Sequence, residues 1–419
     1  MPRLDESLID DEAAIARLDS RQSLRALATA GAQVREALRL AREAGVEAVA
    51  GGTRPRSVLV ASLGGSSVLA DVLELLTEPG SPVPVNARRN LPLPGWVGPL
   101  DLVIAVSHSG RAAGPLGLAA EAARRGAFLL TVGAPDSPLA DVCARARGIH
   151  VDVPLGRTST RTSLWSLLTP VLLAADALGL ASCPPPVLTR VADRLDEAAV
   201  AYRPGSESFV NPAKVLAADL AEGVPVVLAD GPVCGVAARR AASMLARTAR
   251  VPAMWGELPD AASQVVALLD GPYTEAGQRS QADRALEETR TDRHGEPVPD
   301  IFRDPYLDGL PDPRMTLLVL HDAPGAPGAA AIGAAAADAS EPVATTADPR
   351  GGALCEAVVQ TARDAGVRVS EYAAGPGHPL ERLADLVALT DFTATYFALG
   401  LGLDPAVSAH LADLRDHTQ

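Results

Sequence analysis

The chain has 419 residues, 47% of them hydrophobic and only 3% aromatic, with a net charge of −14. That length holds two or three domains, each able to bury a core. The acidity argues against a nucleic-acid or anionic-membrane surface, which needs clustered cations, but leaves room for a small phosphate ligand held by local donors.

The opening "MPRLDESLIDDEAA" is polar and reads as neither signal peptide nor anchor, and no apolar run reaches the ~20 residues of a membrane span. A cytoplasmic protein is expected. The four cysteines (Cys143, Cys183, Cys234, Cys355) lie far apart without C-x-x-C spacing, which argues for free thiols in a reducing compartment rather than zinc; neither metal nor cofactor is expected. Lys214 is the only lysine.

In chain order, short β-rich runs read "SVLVASLG" (57–64), "PVPVNA" (82–87), "DLVIAVS" (101–107), "AFLLTVG" (127–133) and "IHVDVP" (149–154). Ala/Leu-rich helical stretches such as "SSVLADVLELL" and "GPLGLAAEAARRG" lie between them. Strands apolar throughout are covered on both faces, so the class is α/β: a doubly wound parallel sheet flanked by helices. "SCPPP" (182–186) marks a boundary, predicting one domain over 1–182 and a second over 187–419. The second repeats the pattern with "PVVLADG" (225–231), the helix "VCGVAARRAASMLARTA", and strands "VVALLDG" (265–271), "MTLLVLHD" (315–322) and "VRVSEYA" (367–373). Segments 272–312 and 323–352 read as long loops, and the apolar helix from "PLERLADLVAL" onwards is expected to pack on a core or a subunit interface.

Two Gly/Ser turns follow strands, "SLGGSSVLAD" (62–71) and "SHSGRAAG" (107–114). In an open parallel sheet, ligands bind beyond the carboxyl ends of strands, where strand order reverses. Gly64 and Gly65 permit close backbone approach, Ser66 and Ser67 open a helix whose N-terminus favours an anion, and Ser107 and Ser109 offer hydroxyls. Either turn alone is often only a turn plus an N-cap; together they point to a phosphate cradle. Nucleotide motifs of the G-x-x-x-x-G-K-[ST] or G-x-G-x-x-G kind are missing.

"GGSS" and "SHSG" resemble the turns of a sugar isomerase (SIS) domain. "NLPLPGWVGPLDLVIAVSHSG", "PLADVCARA", "VDVPLGRTSTRTS", "NPAKVLAADL" and "FTATYFALGLGLDP" follow, in order, the pattern of the bifunctional phosphoglucose/phosphomannose isomerases. The resemblance implies two SIS domains, a homodimer, and hexose 6-phosphate ligands. The family's S-Y-S-G-N-T reads Ser107-His108-Ser109-Gly110-Arg111-Ala112, keeping both serines and losing the threonine, and Arg161 matches the family's arginine near the reacting oxygens.

Aldose–ketose isomerisation needs a base to carry a proton between C1 and C2 and an acid to open the ring. The resemblance puts Arg247 where the family has its glutamate base, and a guanidinium cannot take a proton. It puts Ser263 where the ring-opening histidine belongs. The expectation is therefore a sugar-phosphate-binding protein with weak or no turnover. The alternative is an active glucose- or mannose-6-phosphate isomerase using relocated groups such as Glu257, Asp260 or His378.

Overall fold

The computed structural model describes residues 4–77, 80–154, 156, 159–278, 314–322, 349–408 and 410. Its described strands form two all-parallel sheets. The first has the order β2-β1-β3-β4-β5, from β1 (Val58–Ser62), β2 (Val85–Arg88), β3 (Leu102–Ser107), β4 (Phe128–Gly133) and β5 (Ile149–Asp152). The second runs β7-β6-β8-β9, from β6 (Val224–Asp230), β7 (Met254–Glu257), β8 (Met315–His321) and β9 (Arg368–Ala373).

The apolar strands divide their residues between two faces, as the twofold alternation of a strand requires. Val58, Val60, Ile104 and Val106 enter one core, while Leu59, Ala61, Val103 and Ala105 enter another under the helices Ala113–Arg124 and Pro138–Arg145. The first of these cores does not stop at the first sheet. It continues through the helices Leu164–Ala177, Pro185–Ala201 and Pro379–Gly400 to Val227, Ala229, Leu318 and Leu320 of the second sheet.

Pro379–Gly400 lies at the centre of this shared core, buried along almost its whole length. An all-round apolar helix belongs there. Thr390, Thr393 and Thr395 turn their hydroxyls back onto carbonyls four residues earlier, so they add no unmet polar group. The one lysine is also internal: Lys214 Nζ donates to Asp10 Oδ1 at 2.9 Å and to the Pro204 and Ser206 carbonyls at 2.8 and 2.7 Å, and lies over the Tyr396 ring.

Two expectations need correction. The run 265–271 is not a strand; Ala262–Leu269 is helical, burying Val265 and Leu269 at i and i+4. A short apolar run without alternation fits either element, and here the helical spacing prevails. The strand is β7 instead, an edge strand whose exposed Met254 and Trp255 hide it from a search for buried runs. Of the two long-loop segments, most of 272–312 and 323–348 lies outside the described residues, while the end of the second belongs to the helix Pro349–Asp364. The four cysteines are free, as expected, and all four are buried.

Candidate functional site: an arginine-lined cleft

In the first sheet the strand order reverses between β1 and β3. The chain leaves β1 through a 3₁₀ turn, Gly64–Ser66, with Gly64 at φ 68°, and enters the helix Val68–Thr77. Gly64, Gly65, Ser67, Val68 and Asp71, one face of that turn and helix, line a cleft of about 320 Å³. The opposite wall comes from the second half of the chain: Arg239, Arg240 and Ser243 of the helix Pro232–Met244, then Arg247 and Trp255. Arg247 lies on a π-helical turn, Leu245–Ala249, that extends this helix by one wider loop. Such turns recur at functional sites.

Four guanidinium groups thus meet in a chain that is strongly acidic overall, and each is held differently. Arg240 is buried, makes a bidentate pair with Asp391 at 2.7–3.2 Å, and donates to the Arg161 carbonyl at 2.8 Å. Arg161 in turn donates to the carbonyls of Arg247 at 2.6 Å and Ala406 at 2.9 Å. Arg239 pairs with Asp71 at 2.7 Å and stacks over the Trp255 ring at 5.6 Å. Arg247 reaches across to the glycine turn: a Cβ on Gly64 would lie 3.1 Å from its Nη1, and one on Gly65 would lie 2.9 Å from Thr160 Oγ1. A side chain at either glycine would fill the cleft floor. Burial pushes the Asp71 carboxyl above its ordinary value, against the pull of Arg239 and Arg89.

The structure brings Gly64, Gly65, Ser67 and Arg161 together at this cleft. Ser66 is buried beside it, donating to the Leu63 carbonyl. Ser107 and Ser109 stay one strand over and tie their own loop, accepting from the backbone N–H groups of Ala112 at 3.2 Å and Arg111 at 3.3 Å.

None of the three relocated-catalyst candidates lines the cleft. Glu257 lies at the end of β7 against Gly235, where a Cβ would come within 2.2 Å of its carboxylate. Asp260 is exposed. His378 caps the helix Pro379–Gly400, its Nδ1 accepting from the Leu380 N–H at 3.2 Å, and burial lowers its pKa. Ser263 is exposed on the helix Ala262–Leu269. The sequence reading missed Asp71, Arg239, Arg240 and Trp255. Asp71 was within reach, four residues after Ser67 on the helix that the glycine turn opens, which puts the two on one face.

Comparison with known proteins agrees with this layout. Residues 209–306 and 342–417 match the family described as the bacterial phospho-glucose isomerase C-terminal SIS domain. No curated protein matches the chain. A hypothetical protein from Thermus thermophilus has the same fold, with a TM-score of 0.65 and 14% identity over 100% of this chain and 99% of that one. A glucose-6-phosphate isomerase from Chlamydia trachomatis gives a TM-score of 0.57 and 11% identity, over 92% of this chain and 72% of that one. The C-terminal domain of glucosamine-fructose-6-phosphate aminotransferase from Francisella tularensis gives 0.52 and 11%, over 92% and 98%. Two helix-flanked parallel sheets with a glycine turn at the strand-order reversal make this a SIS-domain protein. The bacterial phosphoglucose isomerase family model covers residues 209–306 and 342–417, so the second half of the chain is similar to that family, in keeping with the resemblance visible in its sequence.

Proposed function

We propose that the chain binds a hexose 6-phosphate in the arginine-lined cleft and turns it over weakly or not at all. The carrying observation is the meeting of Arg161, Arg239, Arg240 and Arg247 with the Gly64–Ser66 turn around about 320 Å³, a volume suited to one small ligand. Guanidinium groups and a helix N-terminus both favour a phosphate dianion. In this reading Gly64, Gly65, Ser67 and Arg247 face the phosphate, Arg239 and Trp255 face the sugar, and Arg161 and Arg240 keep the wall in place. Ser66, Ser107 and Ser109 support the neighbouring turns.

Against turnover stands the identity of Arg247, which cannot act as a base. General acid–base catalysis contributes roughly 10²–10⁴-fold per group, and the base and ring-opening positions are both replaced. A second reading has one observation in its favour: Asp71 is the carboxylate on the cleft wall, with its pKa raised by burial. In that reading Asp71 moves the proton and the chain is an isomerase with a relocated base.

Fructose 6-phosphate in D₂O, followed by proton NMR, separates the two. The first reading expects ligand resonances to shift on binding with no deuterium entering C1 or C2. Deuterium uptake that is lost in Asp71→Asn would establish the second. Absence of binding by any hexose phosphate would overturn both.

The homodimer that the resemblance implies belongs to the same proposal and is tested by light scattering, with twice the chain mass expected. No helix among the described residues is long and apolar enough to cross a membrane.

A further inference from the structure

The second sheet has its own reversal of strand order, between β6 and β8, where a doubly wound sheet opens a crevice beyond the strand ends. Val226 and Leu228 of β6, with Leu317 and Val319 of β8, face the core under the helix Pro349–Asp364. Two residues further on, Asp230 and His321 continue that same face, and the two are register partners at the ends of neighbouring strands. Cys355, a residue of that helix buried in the same core, meets them. His321 Nδ1 lies 3.5 Å from Asp230 Oδ2 and 4.0 Å from Cys355 Sγ, and the three donor atoms all lie within 4.8 Å of one another.

We propose that Asp230, His321 and Cys355 form a binding site for a divalent transition-metal ion of the zinc class. Zinc takes sulfur at about 2.3 Å and nitrogen or oxygen at about 2.0–2.2 Å, so a tetrahedral site holds its donors roughly 3.3–3.6 Å apart. The observed separations need only small side-chain rotations to close on an ion. A mixed sulfur, nitrogen and oxygen set selects against magnesium and calcium, which take oxygen alone.

An independent feature points the same way. The far ring nitrogen, His321 Nε2, is 3.0 Å from Glu371 Oε2, and Arg363 pairs with Glu371 from the other side. A carboxylate behind a ligating histidine holds the proton on the outer nitrogen and leaves the inner lone pair aimed at the metal. Three protein donors leave a fourth position for water or an anionic ligand, the arrangement of a reactive rather than a purely structural zinc. The site shares no residue with the arginine cleft, and it does not depend on the sugar-phosphate reading. The ligands are scattered along the chain, which is why cysteine spacing gave no sign of them.

The test is to strip the purified full chain with a chelator and titrate it with Co²⁺ and then Zn²⁺. The expected result is one equivalent per chain, with an intense near-ultraviolet thiolate-to-cobalt absorption that zinc abolishes by displacement. Cys355→Ser should remove the absorption. Because that cysteine is buried, Glu371→Gln gives a second reading: the absorption stays and zinc affinity falls about 10–100-fold, as for other outer-layer carboxylates. Failure of the wild-type chain to bind a full equivalent would overturn the proposal, as would binding without the absorption or an absorption that survives Cys355→Ser in folded protein. The cluster would then be a protonated imidazole bridging two carboxylates.

Discussion

The two sheets are wound alike and end differently. At the β1–β3 reversal the chain makes a glycine turn, and arginines from the other half close over it. At the β6–β8 reversal the strand ends carry Asp230 and His321, with Asp322 next in the chain. A single helix joins the two: Pro232–Met244 begins just after Asp230 and delivers Arg239, Arg240 and, through the π-turn, Arg247 to the cleft. At 1.5 Å per residue that helix is roughly 20 Å long, so opposite chemistries sit at its two ends. The topology determines where each crevice opens; the side chains brought to it, from the strand ends at one and from a helix of the other half at the other, determine its charge.

The strongest way to break this comparison is to cut the support beneath the basic end. Asp391→Ala leaves Arg240 charged and buried without its partner, and should cost about 3–5 kcal/mol in a denaturant titration. A much smaller loss would mean that the arginine wall does not depend on the long helix.

Next in size, Arg247→Glu should weaken fructose 6-phosphate binding about 10–100-fold by calorimetry, the worth of one hydrogen bond between charged groups. Appearance of deuterium exchange at C1 or C2 in that variant would show that the base alone had been missing. Asp71→Asn removes the carboxylate on the cleft wall and should tighten binding by about threefold, a fraction of a surface ion pair. A loss of binding instead would give Asp71 a direct ligand contact.

The pH dependence sharpens the contrast from the first sheet's outer edge. His150 on β5 lies below its ordinary value of 6.5 because burial disfavours the cation. The unfolded chain therefore takes up that proton first; the stability linked to His150 is whole above 6.5 and falls as pH drops below it. Thermal unfolding between pH 7 and 5 should show this decline, with a shallower slope in His150→Gln. The smallest effect belongs to Ser109→Ala, which should change fructose 6-phosphate affinity less than about twofold, because its hydroxyl caps its own loop and contributes only as a local hydrogen bond. A tenfold loss would move the phosphate from the β1 turn to the β3 loop.

Much of this architecture is legible in the sequence. β1, β3, β4, β6 and β8 were found because strands covered on both faces need apolar residues at every position. β7 escaped because one face is the cleft wall, where Trp255 is half-exposed and stacked on Arg239. Gly64, Gly65, Ser67 and Arg161 were found through turn chemistry and resemblance. Arg239, Arg240 and Asp71 were not, since a charge on a helix reads the same whether it faces solvent or another part of the chain. Only the folded arrangement, in which Arg240 meets Asp391 and Arg239 meets Asp71 across long sequence separations, tells these cases apart.

The single lysine gives the molecule an unusual surface chemistry. With Lys214 enclosed and all its donors engaged, the folded protein offers amine-directed reagents no side chain to attack. Acylation or cross-linking through amines should reach only the chain's α-amino group while the fold holds. Modification of Lys214 would then be a clock for global opening, readable by mass without any engineered probe.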